Sequence, residues 1–184
     1  MSDEFSKRLS AALRVMIGIV RLKNGPEDLP VSAPLLVLAI VLAAIPDALT
    51  FAIVPTPAEI SPGLLIVIGV VTKLVWYGAL LRLAGRPERF LQTLTAVFGY
   101  RIILAPALVF TGWFVVTYQK DPTWYVPATL LRSIVEIWAL VILARILRSA
   151  TQWPIFTCVV LAIGNELLTL VLVANLFPST MTAT

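Results

Sequence analysis

Apolar residues fall along this chain in long runs separated by short stretches rich in Pro, Gly and charge, the pattern of helices that cross a bilayer. The first run covers residues 34–54 (PLLVLAIVLAAIPDALTFAIV). Its 21 residues, rising about 1.5 Å each, cover a hydrocarbon core of roughly 30 Å. Further runs lie at 62–83, 90–118, 125–147 and 154–177. The pattern therefore predicts an all-α, polytopic bundle of five transmembrane helices. Pro46 and Pro106 stand inside the first and third runs, where a missing N–H predicts a bend. The third run is longer than a perpendicular crossing requires, which predicts tilt, bending at Pro106 or projection beyond the bilayer.

Residues 1–30 follow a different rule. Phe5, Leu9, Leu13, Met16, Ile17 and Val20 recur at helical spacing, while Lys7, Arg8, Arg14 and Arg21 take other positions. This predicts a cytoplasmic amphipathic helix that either lies in the lipid surface or packs against the bundle, with GPEDLP ending it. Lys7, Arg8, Arg14, Arg21 and Lys23 are the candidate contacts to the membrane surface. The charged region is too long for a cleavable secretory signal, and the apolar run after it is long enough to span, so Met1 is expected to remain. The organisation is then an interfacial segment over 1–30, a five-helix membrane domain over 31–178 and a polar tail over 179–184.

Composition strengthens the membrane reading and removes several kinds of chemistry. The chain is 59% hydrophobic and 13% charged, against about a quarter charged for soluble domains. The lipid bilayer is thus an expected partner. Histidine is absent, and with it the commonest metal ligand and general base. The single cysteine, Cys158, lies in an apolar run without an intrachain partner or CxxC motif. GxSxG, HExxH, a P-loop and a paired-aspartate lipid-phosphate motif are all missing. No catalytic residue, cofactor or metal is expected. The net charge of +4 comes from basic residues clustered beside apolar segments, which suits headgroups and not nucleic acid.

The basic residues also set an orientation. Those named before the first run are followed by a loop without Lys or Arg, a loop with Arg82, Arg86 and Arg89, one with Lys120 alone, and one with Arg145 and Arg148. Under the positive-inside rule this alternation predicts a cytoplasmic N-terminus and an external or periplasmic C-terminus; the compact form without long tails makes a bacterial cytoplasmic (inner) membrane the expected location. Trp113, Tyr118, Trp124 and Tyr125 would form an outer aromatic belt, with Trp153 at the inner interface.

Six ionisable residues fall inside the runs: Asp47, Lys73, Arg101, Arg132, Glu136 and Glu166. Their formal charges cancel, and residues of this kind in lipid turn toward a protein interior or a wet cavity. They are the candidate intramembrane polar network. Counting from the span ends puts Asp47 and Arg132 roughly 10–12 Å below the outer surface and the other four near the midplane. The expectation is an Asp47–Arg132 pair, with Lys73 and Arg101 neutralising Glu136 and Glu166, and with Tyr77, Tyr100 and Asn165 adding hydrogen bonds. Such a network either holds helices together or binds a moving ion or substrate.

Five spans, a cytoplasmic N-terminus, the entrance GPEDLPVSAPLL and FLQTLTAVFGY at 90–100 make the chain resemble the small bacterial members of the Yip1-like group over about 25–177. The resemblance implies a non-enzymatic five-helix membrane protein, associated in eukaryotes with vesicle traffic and small GTPase partners. The chain departs from the eukaryotic pattern in its short N-terminal region and in GPEDLP, which does not reproduce the order DLxGP, so the GTPase inference does not carry over. The function expected is that of a non-catalytic accessory, assembly or scaffold component of a membrane complex, bound to another membrane protein or to a second copy. The alternative is a small transporter or channel that uses the charged network for a proton or a small anion. Single cysteines at Ser61 and Arg86, on a Cys158→Ala background, are expected to react with an impermeant maleimide from opposite sides of the membrane. Reaction from the same side would overturn the topology.

Overall fold

The ends of the helices are written locally. The Ser32 hydroxyl accepts the Leu35 N–H at 3.4 Å, and the Asp121 carboxylate accepts the Thr123 N–H at 2.9 Å with Pro122 at the first helical position. Gly85, at φ 68°, closes the helix before it, with the Arg86 N–H on the Leu81 carbonyl at 2.8 Å. The computed structural model describes residues 2–53 and 61–177, with side chains from residue 9 onward. Its long elements are α1 (Ser2–Val20), α2 (Ala33–Ile53), α3 (Pro62–Leu83), α4 (Phe90–Tyr118), α5 (Pro122–Thr151) and α6 (Ile155–Leu176), with short 3-10 turns at Pro26–Asp28 and Pro87–Arg89. No strand occurs among the described residues.

The second and third apolar runs coincide with α3 and α4. α5 starts three residues before its run and ends four after it, since Asp121 caps its start and Gln152, at φ 62°, ends it. α2 and α4 each continue through their proline as one helix. Val54, the polar tail at 179–184 and the side chains of Phe5, Lys7 and Arg8 lie outside the described residues. Four segments are long and apolar enough to cross a membrane: α2, α3, α4 with the turn before it, and α6. α5 has the length, at 30 residues, but Arg132, Glu136, Arg145 and Arg148 divide its apolar sequence.

α2, α4 and α6 run in one direction and α3 and α5 return. Each long helix touches the next around the ring α2, α4, α5, α6, α3 and back to α2, and α4 makes the most extensive contacts, with α2 and α5. Burial is confined almost entirely to one end. On α2 the buried residues stop at Ala43, on α3 they begin at Thr72, and on α6 they stop at Asn165. Residues 93–100 of α4 are buried without a break, and α5 buries six side chains between Ile142 and Ala150 but just Ala128 in its first half. At the other end burial is limited to Thr111 of α4 and Ala128 of α5, where these two helices still meet. The packed end also carries the linkers: Gln92 donates to the Leu29 carbonyl at 2.7 Å, and Arg89 to that of Ser149 at 2.8 Å. α3 and α6 meet where Trp76 donates to the Leu161 carbonyl at 3.2 Å and lies against Gly164.

α1 packs against α4 near this end, one of the two placements open to it. Ala12, Met16 and Ile19 are buried, and the Met16 thioether lies over Gly99. Leu13 and Ile17 face outward with Arg14, so the far edge of the same apolar stripe remains available to lipid. A side chain at position 99 would displace Met16, because even its Cβ would come within 2.8 Å of the thioether. Gly99→Leu is therefore expected to cost about 1–3 kcal/mol, seen as a lower melting temperature in detergent and faster proteolysis near Arg21. Unchanged proteolysis would mean that α1 does not rest on Gly99.

Candidate functional site

The six ionisable residues gather where the packed half of the bundle gives way to the more exposed half, and each of the five long helices α2 to α6 supplies at least one. They form three pairs. Asp47 on α2 accepts from the Arg101 guanidinium on α4 at 2.5 Å. Arg132 and Glu136, one turn apart on α5, meet at 2.6 Å, and the same guanidinium donates to the Leu108 carbonyl of α4 at 2.7 Å. Lys73 on α3 approaches Glu166 on α6 at 4.0 Å. Lys73 is almost wholly buried, whereas the side chains of Glu136 and Glu166 are 54% and 53% exposed.

These pairings correct two expectations and sharpen a third. Asp47 meets Arg101 and not Arg132, because depth has to be counted from the packed end where α2 and α4 both begin. From there the two residues differ by three positions, about 4.5 Å along the axes, which an arginine side chain spans. Counting from the outer ends fails because α4, at 29 residues, projects beyond α2, at 21. Glu136 is neutralised by its own helix neighbour, as spacing four apart allows, and not by Lys73 or Arg101. Of the two carboxylates assigned to Lys73 and Arg101, Glu166 goes to Lys73. The Tyr77 hydroxyl and both amide atoms of Asn165 are buried without a hydrogen-bond partner, so they do not supply the bonds expected of them.

Two cavities open on this network. The larger, of about 490 Å³, lies between α2, α4, α5 and α6 and is lined by Asp47, Arg101, Arg132, Glu136 and Glu166 among others. A smaller one of about 230 Å³ lies toward α3 and adds Lys73. Asp47, Arg101 and Glu166 border both. Thr50, Phe51 and Leu108 complete the wall of the larger cavity; ordinary residues in an apolar run, they carry no signal of such a role. The cleft holds both signs of charge on fixed pairs, with two carboxylates turned partly out of it. Such an array can hydrogen-bond or counter-charge a polar group brought to it, and it contains no nucleophile–base arrangement.

Arg14, Arg21 and Lys23 are exposed at the packed end, away from the cleft. Of the residues expected in an aromatic belt, Tyr118 and Trp124 are brought together, 6.2 Å apart between ring centroids, with Phe114 5.1 Å from Tyr118.

Removing one member of a buried ion pair costs about 3–5 kcal/mol, and the partial exposure of Asp47 and Arg101 puts the expected loss at the lower end of that range. Asp47→Ala and Arg101→Met should each lower the melting temperature in detergent, and the double variant should lose clearly less than the sum of the two. Additive losses would show that the pair is not coupled. No family model, curated protein or solved structure matches the chain, so no relative bears on the Yip1-like resemblance.

Proposed function

We propose that the chain is a five-span protein of the bacterial cytoplasmic membrane, N-terminus inside, that serves as a non-catalytic accessory to another membrane component. α5 is the fifth span in this reading. Its two charges in mid-helix neutralise each other and one is also bonded to α4, which lowers the cost of carrying them through lipid, while Arg145 and Arg148 fall at the packed end. The alternation of basic residues supports the orientation.

The accessory role rests on the exposure of Glu136 and Glu166 within apolar walls. Ile134 and Ile137 flank the first, and Leu167 and Leu170 lie beside and beyond the second, each more than half exposed. Arg132 and Lys73 already face these two carboxylates, but about half of each side chain stays open beside apolar residues, where a polar surface turned to lipid is costly. A neighbouring helix offering a hydroxyl, amide or cation meets it while its apolar residues cover the wall. This agrees with the non-enzymatic role that the Yip1-like resemblance implies. The transporter reading draws on the 490 Å³ cavity, which is large enough for a small solute and carries both signs of charge.

Affinity purification from native membranes separates the two. The wild-type chain is expected to recover a partner in fixed stoichiometry, and Glu136→Gln, compared at equal amounts of folded protein, to lower that recovery at least about fivefold, the loss of one charge-assisted hydrogen bond; Glu166→Gln also leaves the buried Lys73 without its carboxylate and is compared in the same way. Recovery of the chain alone, together with solute flux in reconstituted vesicles that the same substitutions abolish, would replace the accessory reading with transport.

A further inference from the structure

At the packed end, opposite the charged cleft, lies a surface hollow of about 540 Å³ lined by Arg145, Arg148, Ser149 and Gln152. Its walls come from the last two turns of α5 and the residue that ends that helix. One member of the rim is held from outside: the Arg86 guanidinium, in the linker between α3 and α4, donates to the Gln152 side chain at 2.6 Å. Arg145 is anchored by a bond of 3.1 Å to the Leu22 carbonyl. Gln152 itself adopts φ 62°, a conformation that glycine takes at lower cost. Keeping a glutamine there retains a polar side chain at the rim.

The charges around the hollow are uncompensated. Over residues 9–28, 82–89 and 145–152 the sequence has eight basic residues against three acidic ones. Glu27 reaches the hollow, but its carboxylate takes the Ser149 hydroxyl at 2.5 Å and no arginine. Among the described residues neither Arg145 nor Arg148 has a carboxylate within salt-bridge distance. Two guanidinium groups with free N–H donors, three residues apart on one helix, form a fork that matches the oxygens of a phosphate. The level of the hollow is equally informative. It lies one residue from Trp153, half-buried at the start of the α5–α6 connection, and close to the exposed Leu83 at the end of α3. Basic residues beside an interfacial tryptophan at the end of an apolar helix are the setting in which lipid headgroups meet protein.

We propose that this hollow binds a phosphate group, and that its source is the headgroup of an anionic membrane lipid. The site is independent of the charged cleft and of the accessory role. Arg145 and Arg148 grip the phosphate oxygens, Gln152 holds its place at the rim through Arg86, and the acyl chains run along the apolar surface of the bundle.

The test uses the purified full chain in detergent, with phosphatidylglycerol, phosphatidylcholine or inorganic phosphate as the probe and bound probe counted by native mass spectrometry. The wild type is expected to retain phosphatidylglycerol in preference to phosphatidylcholine. Arg148→Gln should reduce that retention about fivefold and the Arg145→Gln, Arg148→Gln pair tenfold or more. Arg148 makes no described side-chain bond, so its single variant reports on binding without loss of fold, and an unchanged melting temperature checks this. Arg82→Gln, at the same end but outside the hollow, should stay within about twofold of wild type. Retention of inorganic phosphate with the same dependence on Arg148 would support the phosphate site and assign it to a soluble source. Equal losses from Arg82→Gln and Arg148→Gln would overturn the proposal in favour of diffuse surface charge, and so would equal retention of the two lipids.

Discussion

A charge inside a bundle solvated by lipid has to find its opposite, and this necessity organises the centre of the molecule. Asp47 and Arg101 tie α2 to α4, Lys73 and Glu166 face one another from α3 and α6, and Arg132 and Glu136 satisfy each other on α5 while Arg132 also holds α4. Mutual neutralisation removes most of the desolvation penalty but adds little net stability over a well-packed apolar core. What the pairs contribute is register. Parallel α2 and α4 can slide past one another on apolar contacts alone, and a guanidinium bonded to one carboxylate allows a single offset.

Below the pairs, small residues let the helices approach. Ala39 and Ala43 of α2, Ala96 and Gly99 of α4, Ala144 and Ala150 of α5 and Ala162 of α6 populate the packed end, filled out by Leu94, Val97, Phe98, Ile142 and Leu147. α1 covers α4 there and the linkers fasten to it. Above the pairs the walls are Leu, Ile, Val and aromatic residues turned outward. The boundary between these two compositions is where the cavities open. One end of the molecule is thus a rigid, basic platform, and the other is an open set of apolar walls with two carboxylates between them. The proposed partner surface belongs to the second and the proposed phosphate site to the first.

Much of the fold is legible along the chain. The apolar runs at 62–83 and 90–118 reproduce α3 and α4 because hydropathy and helix caps are both local: Ser61 and Pro62 start one helix, and Gly85 stops it. The residues of the candidate network are legible for the same reason, since an ionisable side chain inside an apolar run is conspicuous wherever it lies. The partners are less so. Glu136 lies four positions from Arg132, a spacing that permits their pair within a single helix, yet counting depth sent it to Lys73 or Arg101, and Asp47 and Arg101 lie 54 positions apart. Their meeting depends on where α2 and α4 start relative to each other. Tyr77 and Asn165, polar and suitably placed in sequence, end buried without hydrogen-bond partners.

By itself, then, the sequence determined the helical class, the boundaries of α3 and α4, the concentration of basic residues at one end and the identity of the six charges inside the apolar runs, all of which depend on neighbours within a turn or on the solvent that each segment requires. Only the tertiary structure decided which charges pair, that burial belongs to one half of the bundle, that α1 rests on Gly99, and that Arg145, Arg148 and Gln152 enclose a hollow. Each of these is a relation between helices, governed by the offset at which whole helices pack, and neither hydropathy nor spacing along one helix encodes that offset.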